Sequence, residues 1–383
     1  MKKPLLLTIL TFVSLLTLQA QNVDKEKISY TYLRNPIEKL DASIKKYNVE
    51  VDILWIQREQ DKLAEYEMEL AKAEEEYQAE METYNNKSLG KVLAERALIG
   101  EGKKPEKRFV KKPETLAIPE LSILESKIAL DGYDKGTDDA ILIKVTYKEI
   151  ACSAPIDAPK EKNGESYKLR KVKVQQPVEV SLITSDGNVL YTEVIKKSNY
   201  EHEILAPQGI KDSEWDKYVE NTWPAYFNSQ LSAYLESLAT EVNELINYKF
   251  GYSNVKRYTE LYKGDGKKYS YDSHLLTLRK AQRAYEGLLT DSQESVNQLK
   301  ESIAEWSEEI KEADPSDKKA RINSEVQQAL LINIIEAYVM TGNYNEATDI
   351  CDKIELMPDA KRKYLKEVEN LRAFIKDEKL RNS

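Results

Sequence analysis

Histidine and cysteine are nearly missing from this 383-residue sequence, with two of each. Zinc sites and His-assisted nucleophiles draw on several such residues, so at most one minimal four-ligand cluster can be assembled here. No His-Glu-x-x-His, Cys-x-x-Cys or Gly-x-Ser-x-Gly motif occurs. Glycine (13) and proline (12) are scarce as well; together they reach about half their usual share, which argues against long structureless loops. Basic residues do not dominate: 57 Lys and Arg face 66 Asp and Glu, a net charge of −9. That balance argues against general nucleic-acid binding, which needs a basic surface. Phenylalanine numbers only 5, against 24 tyrosines. Beyond residue 18 no run is apolar enough to cross a bilayer.

What is present begins with a leader. Lys2 and Lys3 precede an apolar run from Leu5 to Leu18 and the small Ala20, the pattern of a secretory signal peptide over residues 1–20. No cysteine follows the run, so a lipoprotein anchor is not expected. Removing the leader lowers the basic count from 57 to 55 against 66 acids, a net of −11. The protein is therefore expected outside the cytoplasm, periplasmic or associated with the cell envelope. Export leaves a Cys152–Cys351 bridge chemically open, although two small buried thiols are the simpler reading. No cofactor and no metal are expected.

Periodicity then orders the chain. Ile28, Tyr30 and Tyr32 alternate with polar residues, as do Val49, Val51, Ile53 and Trp55, predicting strands with one buried face. From Arg58 the period changes: Leu63, Tyr66, Leu70, Ala73, Tyr77 and Tyr84 form a helical stripe. Ten acids and four bases line the same stretch to Lys87. With a shorter helix through Val92, Leu93, Ala97 and Leu98, residues 58–99 are expected to form an inserted, coiled-coil-like helical hairpin, and self-association through its stripe is open. A basic connector follows, carrying Lys103, Lys104, Lys107, Arg108, Lys111 and Lys112; it either docks an anionic partner or offsets the acidic helix before it. Ile128 and Leu130 predict a short strand. Ile141, Ile143, Val145 and Tyr147 alternate, Val172 to Leu182 predicts a longer strand interrupted by Pro177, and Ser185-Asp186-Gly187-Asn188 predicts a hairpin. Residues 21–57 and 100–207 are thus expected to build an antiparallel β-sandwich-like domain. Residues 211–383 read as all-α, interrupted by a turn-rich patch from Tyr258 to Tyr271, with a helix predicted over Lys318–Met340. The fold class is α+β and multidomain.

One segment carries a family likeness. Leu331, Ile334, Ile335 and Tyr338 on a first helix, the turn Gly342-Asn343-Tyr344, and Ala347, Cys351 and Ile354 before Pro358 resemble a tetratricopeptide repeat over about residues 328–358. Ile335 stands where that motif has a small residue, and Cys351 where it has an aromatic. The likeness implies stacked helices with a concave surface for another polypeptide. Asn333, Tyr338 and Asn343 are then the expected partner contacts. An exported, non-enzymatic scaffold that assembles with another envelope protein is the resulting expectation. The alternative is a carbohydrate-binding or carbohydrate-processing envelope protein using a tyrosine surface at Tyr258, Tyr262, Tyr269 and Tyr271. His202 between Glu201 and Glu203 reads as a solvated strand end or a group of raised pKa, and Asp131, Asp134, Asp138 and Asp139 as a polar turn or an oxygen-ligand calcium loop.

Overall fold

The computed structural model describes residues 22–86, 104–162, 164–207 and 210–383. The expected leader and the expected short helix through Val92–Leu98 lie outside them. Two compact units share the chain: Asp41–Ile246 forms one, and the described part of Met1–Leu40 together with Asn247–Ser383 forms the other. The β-first, α-second division expected from sequence therefore differs from the observed one. The second unit is made from both ends of the chain.

In the 41–246 unit, β2 (Lys46–Ile53), β3 (Asp134–Lys135), β4 (Ala140–Tyr147), β8 (Val178–Ile183) and β9 (Val189–Val194) form a sheet in the order β3-β2-β4-β8-β9. Val49, Val51, Ile143, Val145, Val180 and Leu182 are buried on it. The sheet is mixed, not antiparallel as expected, because β2 pairs with β4 in parallel from Lys46↔Ala140 to Ile53↔Tyr147. Parallel neighbours need a long crossover. Here it contains α1 (Ile56–Asn85), the basic connector and α2 (Leu121–Ser126). The segment read as an insertion is thus part of that connection. Ile128 and Leu130, expected as a strand, follow α2 as buried loop residues.

A second sheet centres on β7 (Glu165–Gln175), with β10 (His202–Leu205) on one edge and β5 (Ala151–Cys152) and β6 (Ile156–Lys162) sharing the other. The single strand expected from Val172 to Leu182 divides at Gln176-Pro177 into β7 and β8 of different sheets. Proline has no N–H to continue a ladder. Gln176 is buried there, accepting from Trp55 Nε1 at 2.8 Å and donating to the Lys148 carbonyl at 2.9 Å. The hairpin at Gly187, φ +87°, joins β8 to β9 as expected. Two helices close the unit's sequence, α3 (Trp215–Asn221) and α4 (Trp223–Phe250), the latter buried along Leu231, Leu235, Leu238 and Val242. Tyr147 donates to the Leu235 carbonyl at 2.9 Å, tying β4 to α4.

In the other unit, β1 (Asn22–Arg34) pairs along its whole length with β11 (Ser253–Asp265), antiparallel, as a two-stranded ribbon. The turn-rich patch expected from Tyr258 is therefore strand up to Asp265. Helices α5 (Asp272–Gly287), α6 (Ser292–Ile310), α7 (Ser324–Met340), α8 (Tyr344–Glu355) and α9 (Arg362–Arg381) follow. Helix α7 begins later than the predicted Lys318, because the side chain of Asn323 caps it by accepting from Val326 N–H at 3.0 Å. It is apolar on nearly every side, as a central helix must be. Leu330, Ile334 and Ala337 join a core with the ribbon, α5 and α6, while Leu331, Ile332, Ile335 and Val339 join a core with α8 and α9.

Consecutive helices pack against each other from α5 to α9, and the ribbon packs on α5 and α7. It also reaches α9, where Tyr262 meets the Tyr364 ring edge-on at 5.6 Å between centroids. A strand edge presents unpaired backbone groups, and side chains cover this one. Asn333 of α7 accepts from Tyr262 N–H at 2.8 Å and donates to Tyr262 C=O at 2.7 Å. His274 Nδ1 of α5 accepts from Gly264 N–H at 3.0 Å. Replacing Asn333 with alanine leaves both groups of Tyr262 buried and unpaired. Urea unfolding of Asn333→Ala is expected to show a loss of about 2–4 kcal/mol, whereas a loss below about 0.5 kcal/mol would show that water replaces the carboxamide freely.

Candidate functional site

The inner face of the ribbon carries charge into a core. Tyr30 and Tyr32 alternate inward on β1, and Arg257 lies opposite Tyr30 on β11. From α7, the carboxylate of Glu336, 1% exposed, accepts from Tyr30 Oη at 2.6 Å and from both Nε and Nη2 of Arg257 at 2.6 and 2.8 Å. The guanidinium lies 3.6 Å from the centroid of the Phe374 ring of α9. Burial alone would lower the Arg257 pKa, but its bonds to Glu336 hold it above the usual arginine value. Burial and then the neighbouring Glu336 push the Tyr30 hydroxyl well up, so it stays a neutral donor.

Two more carboxyl groups face the ribbon from α9. Glu378 is buried and accepts from Tyr32 Oη at 2.5 Å. Its pKa is raised, chiefly by burial and also by Asp377, against the opposing pull of Tyr32, Arg381 and Arg34. Half-buried Glu367 is raised by burial and then by Glu336 and Glu260. Beside them Glu260 pairs with Lys25 at 2.7 Å and accepts from Tyr262 Oη at 3.1 Å. At the end of α9, Arg381 donates to the carbonyls of Asn35 and Tyr248 at 3.1 and 2.9 Å, fastening the helix where the chain leaves β1 and where it leaves α4.

Fully buried His274 is the second polar joint. Since Nδ1 accepts from Gly264, its proton sits on Nε2, 3.1 Å from Glu309 Oε2. Arg321 also bonds Glu309. Burial depresses the His274 pKa despite the opposing pull of Glu309. The array resembles a relay in outline, but its histidine faces a backbone amide and serves as a brace.

Of the residues expected to meet a partner, Asn333 is wholly buried on the Tyr262 backbone, Tyr338 is half-buried against both cores, and Asn343 bonds Thr341 Oγ1 at 2.8 Å within its own turn. They do not form an outward-facing groove, because the ribbon lies against α7. The four tyrosines expected as one surface are also dispersed. Tyr258 is 72% exposed on the ribbon's outer face, whereas Tyr262 is buried, Tyr271 is buried and donates to the Arg321 carbonyl at 2.6 Å, and Tyr269 packs partly on the core.

His202 stacks on Tyr234 at 4.2 Å and its pKa is lowered by burial, not raised, since Glu201 and Glu203 are engaged with Lys173 and Lys171. Among the described residues no group of three or more His, Cys, Asp or Glu is arranged to hold a metal ion, the Asp131–Asp139 loop included. Both cysteines are free, Cys152 exposed and Cys351 buried. The Glu336–Arg257–Tyr30 cluster escaped the sequence reading. Its one signal was a lone glutamate inside the apolar run Ala329–Val339, a placement that calls for a buried partner.

Two measurements test this cluster. Arg257→Met strands a buried carboxylate and is expected to cost about 3–5 kcal/mol, while Arg257→Met with Glu336→Leu recovers a large part of it; equal losses in both would deny the pairing. For Glu378, the folded state holds its proton more tightly than the unfolded chain, whose value is 4.5. That contribution is present below 4.5 and is lost as pH rises through the folded value. Glu378→Gln keeps an acceptor for Tyr32 without the charge. Its stability relative to wild type is therefore expected to improve steadily from pH 4 to pH 7, and a pH-independent difference would contradict the assignment.

No family model matches the chain, and no curated protein matches it. Among solved structures, it is similar to one described as a neuraminyllactose-binding hemagglutinin homolog from Helicobacter pylori, at 12% identity over 33% of this chain and 69% of that one, with a TM-score of 0.17.

Proposed function

We propose that the protein is an exported, non-enzymatic envelope component that assembles with a partner protein through its helical unit, acting as a scaffold. The observation that carries this reading is the helical packing itself. Each helix from α5 to α9 packs on the next, as in stacked tetratricopeptide-like hairpins. Gly342 at φ +77° makes the α7–α8 turn, and Ala347, wholly buried, lets the two helices approach closely. In the other unit, a sandwich-like arrangement of its two sheets fits the chain's passage from one to the other at Gln176-Pro177.

The ribbon on α5, α7 and α9 moves the expected contact surface. Its outer face carries Tyr258, Lys256 and Leu33, of which Tyr258 and Leu33 are 72% and 52% exposed. An exposed tyrosine and leucine beside cations suit a protein partner better than a glycan, since the other three tyrosines are engaged inside the unit. A secretory leader over residues 1–20 would bring the protein to such a partner in the envelope. A photo-crosslinking amino acid at position 258, with mass spectrometry of the adducts in living cells, tests the reading. One dominant envelope protein, lost when the probe is moved to exposed Leu276, is the expected result. Adducts with polysaccharide alone would favour the carbohydrate reading.

A further inference from the structure

The connector 104–112, Lys-Pro-Glu-Lys-Arg-Phe-Val-Lys-Lys, is a basic stretch in an acidic protein. Two of its cations are used to place it. Lys107 pairs with Glu74 at 2.5 Å, and Arg108 pairs with Glu69 at 3.0 Å and Glu76 at 4.0 Å, all on α1. Farther along, the backbone N–H of Leu116 donates to buried Glu59 at 3.0 Å, so the segment is held at both ends of its course along the helix.

The remaining cations face water, as does the stretch's one acid, Glu106. Lys104, Lys111 and Lys112 are exposed and have no ion-pair partner among the described residues. Phe109, between the two sets, is 87% exposed, more than any other large apolar side chain of the described residues. Phenylalanine has no hydrogen-bonding tip, so a polyanion in water gains little from it. An apolar ring flanked by lysines is instead suited to the boundary between head groups and acyl chains. The acids of α1 that have no ion-pair partner among the described residues oppose an anionic surface, but screening over about 8 Å at physiological salt leaves the nearest charges dominant.

We propose that Phe109 with Lys104, Lys111 and Lys112 forms a docking site for an anionic phospholipid surface, the ring entering the interface and the ammonium groups meeting the lipid phosphates. Sedimentation of the full chain with phosphatidylcholine vesicles, with and without phosphatidylglycerol, tests this. The apolar run Leu5–Leu18 is common to every variant, so only differences between variants and between lipids count. Wild type is expected to prefer anionic vesicles, more weakly as salt rises. Phe109→Ser should lower the partition coefficient about tenfold, and Lys111→Glu with Lys112→Glu at least about tenfold. Unchanged urea midpoints would show that the exposed variants still fold. The proposal is overturned if the two vesicle types bind equally, if Phe109→Ser binds like wild type, or if a soluble anionic polysaccharide competes the protein off the vesicles.

Discussion

The buried pairing of Arg257 with Glu336 sets the terms on which one whole unit is built. A carboxylate 1% exposed cannot be left alone in a core. Its neutralising cation comes from β11 and its additional donor, Tyr30, from β1. The central helix is therefore paired only when both strands are in place, and those strands lie far apart in sequence, Asn22–Arg34 and Ser253–Asp265. The unit cannot complete its core until residues 22–34 have met residues 253–381, with the 41–246 unit lying between them in sequence. An ion pair of this kind adds little net stability over an apolar replacement, but it penalises every arrangement in which one partner is missing. Specificity of assembly is what it supplies.

The same strands cover part of the helical surface. Stacked hairpins usually leave the surface of their first helices to another polypeptide. Here the ribbon contacts α5, α7 and α9, one helix from each successive pair and the closing helix. Asn333 and His274 treat β11 as a neighbouring strand would, meeting its outward N–H and C=O groups with side chains. Covering the edge this way prevents strand addition at Tyr262 and Gly264. Gly264 is required at that spot, since a Cβ there would stand 2.2 Å from the Tyr271 ring. Any partner of this unit meets the ribbon's other face or the outer helices.

Much of this architecture was legible and some of it could not be. Helices α4 to α9 follow from apolar spacing, and the β8–β9 turn follows from Asp186-Gly187, because these signals are local. The strand nature of β11 was hidden: its inward residues include Arg257 and Thr259, so apolar alternation fails where the buried ion pair sits. Parallel pairing of β2 with β4 was equally hidden, since its crossover exceeds 80 residues, from Leu54 to Asp139, and no local pattern reports such a contact. Asn333 was expected to meet another protein, but it is buried and its partner is this chain's own backbone at Tyr262.

The tyrosine excess is the composition's clearest mark, and part of it serves the inside of the protein. Phenylalanine would fill the same volume, yet it could not close the polar valences that this fold buries. Tyr30 serves Glu336, Tyr32 serves Glu378, Tyr147 serves the Leu235 carbonyl and Tyr271 the Arg321 carbonyl. At all four positions a ring packs in a core while its hydroxyl meets an acceptor brought by another element. Since an unmet buried acceptor costs about 1–3 kcal/mol, each such tyrosine couples packing to register. A strand displaced by one residue would lose the apolar fit and the hydrogen bond together. At these four positions tyrosine, unlike phenylalanine, joins elements distant in sequence through an acceptor, a carboxylate for Tyr30 and Tyr32 and a backbone carbonyl for Tyr147 and Tyr271.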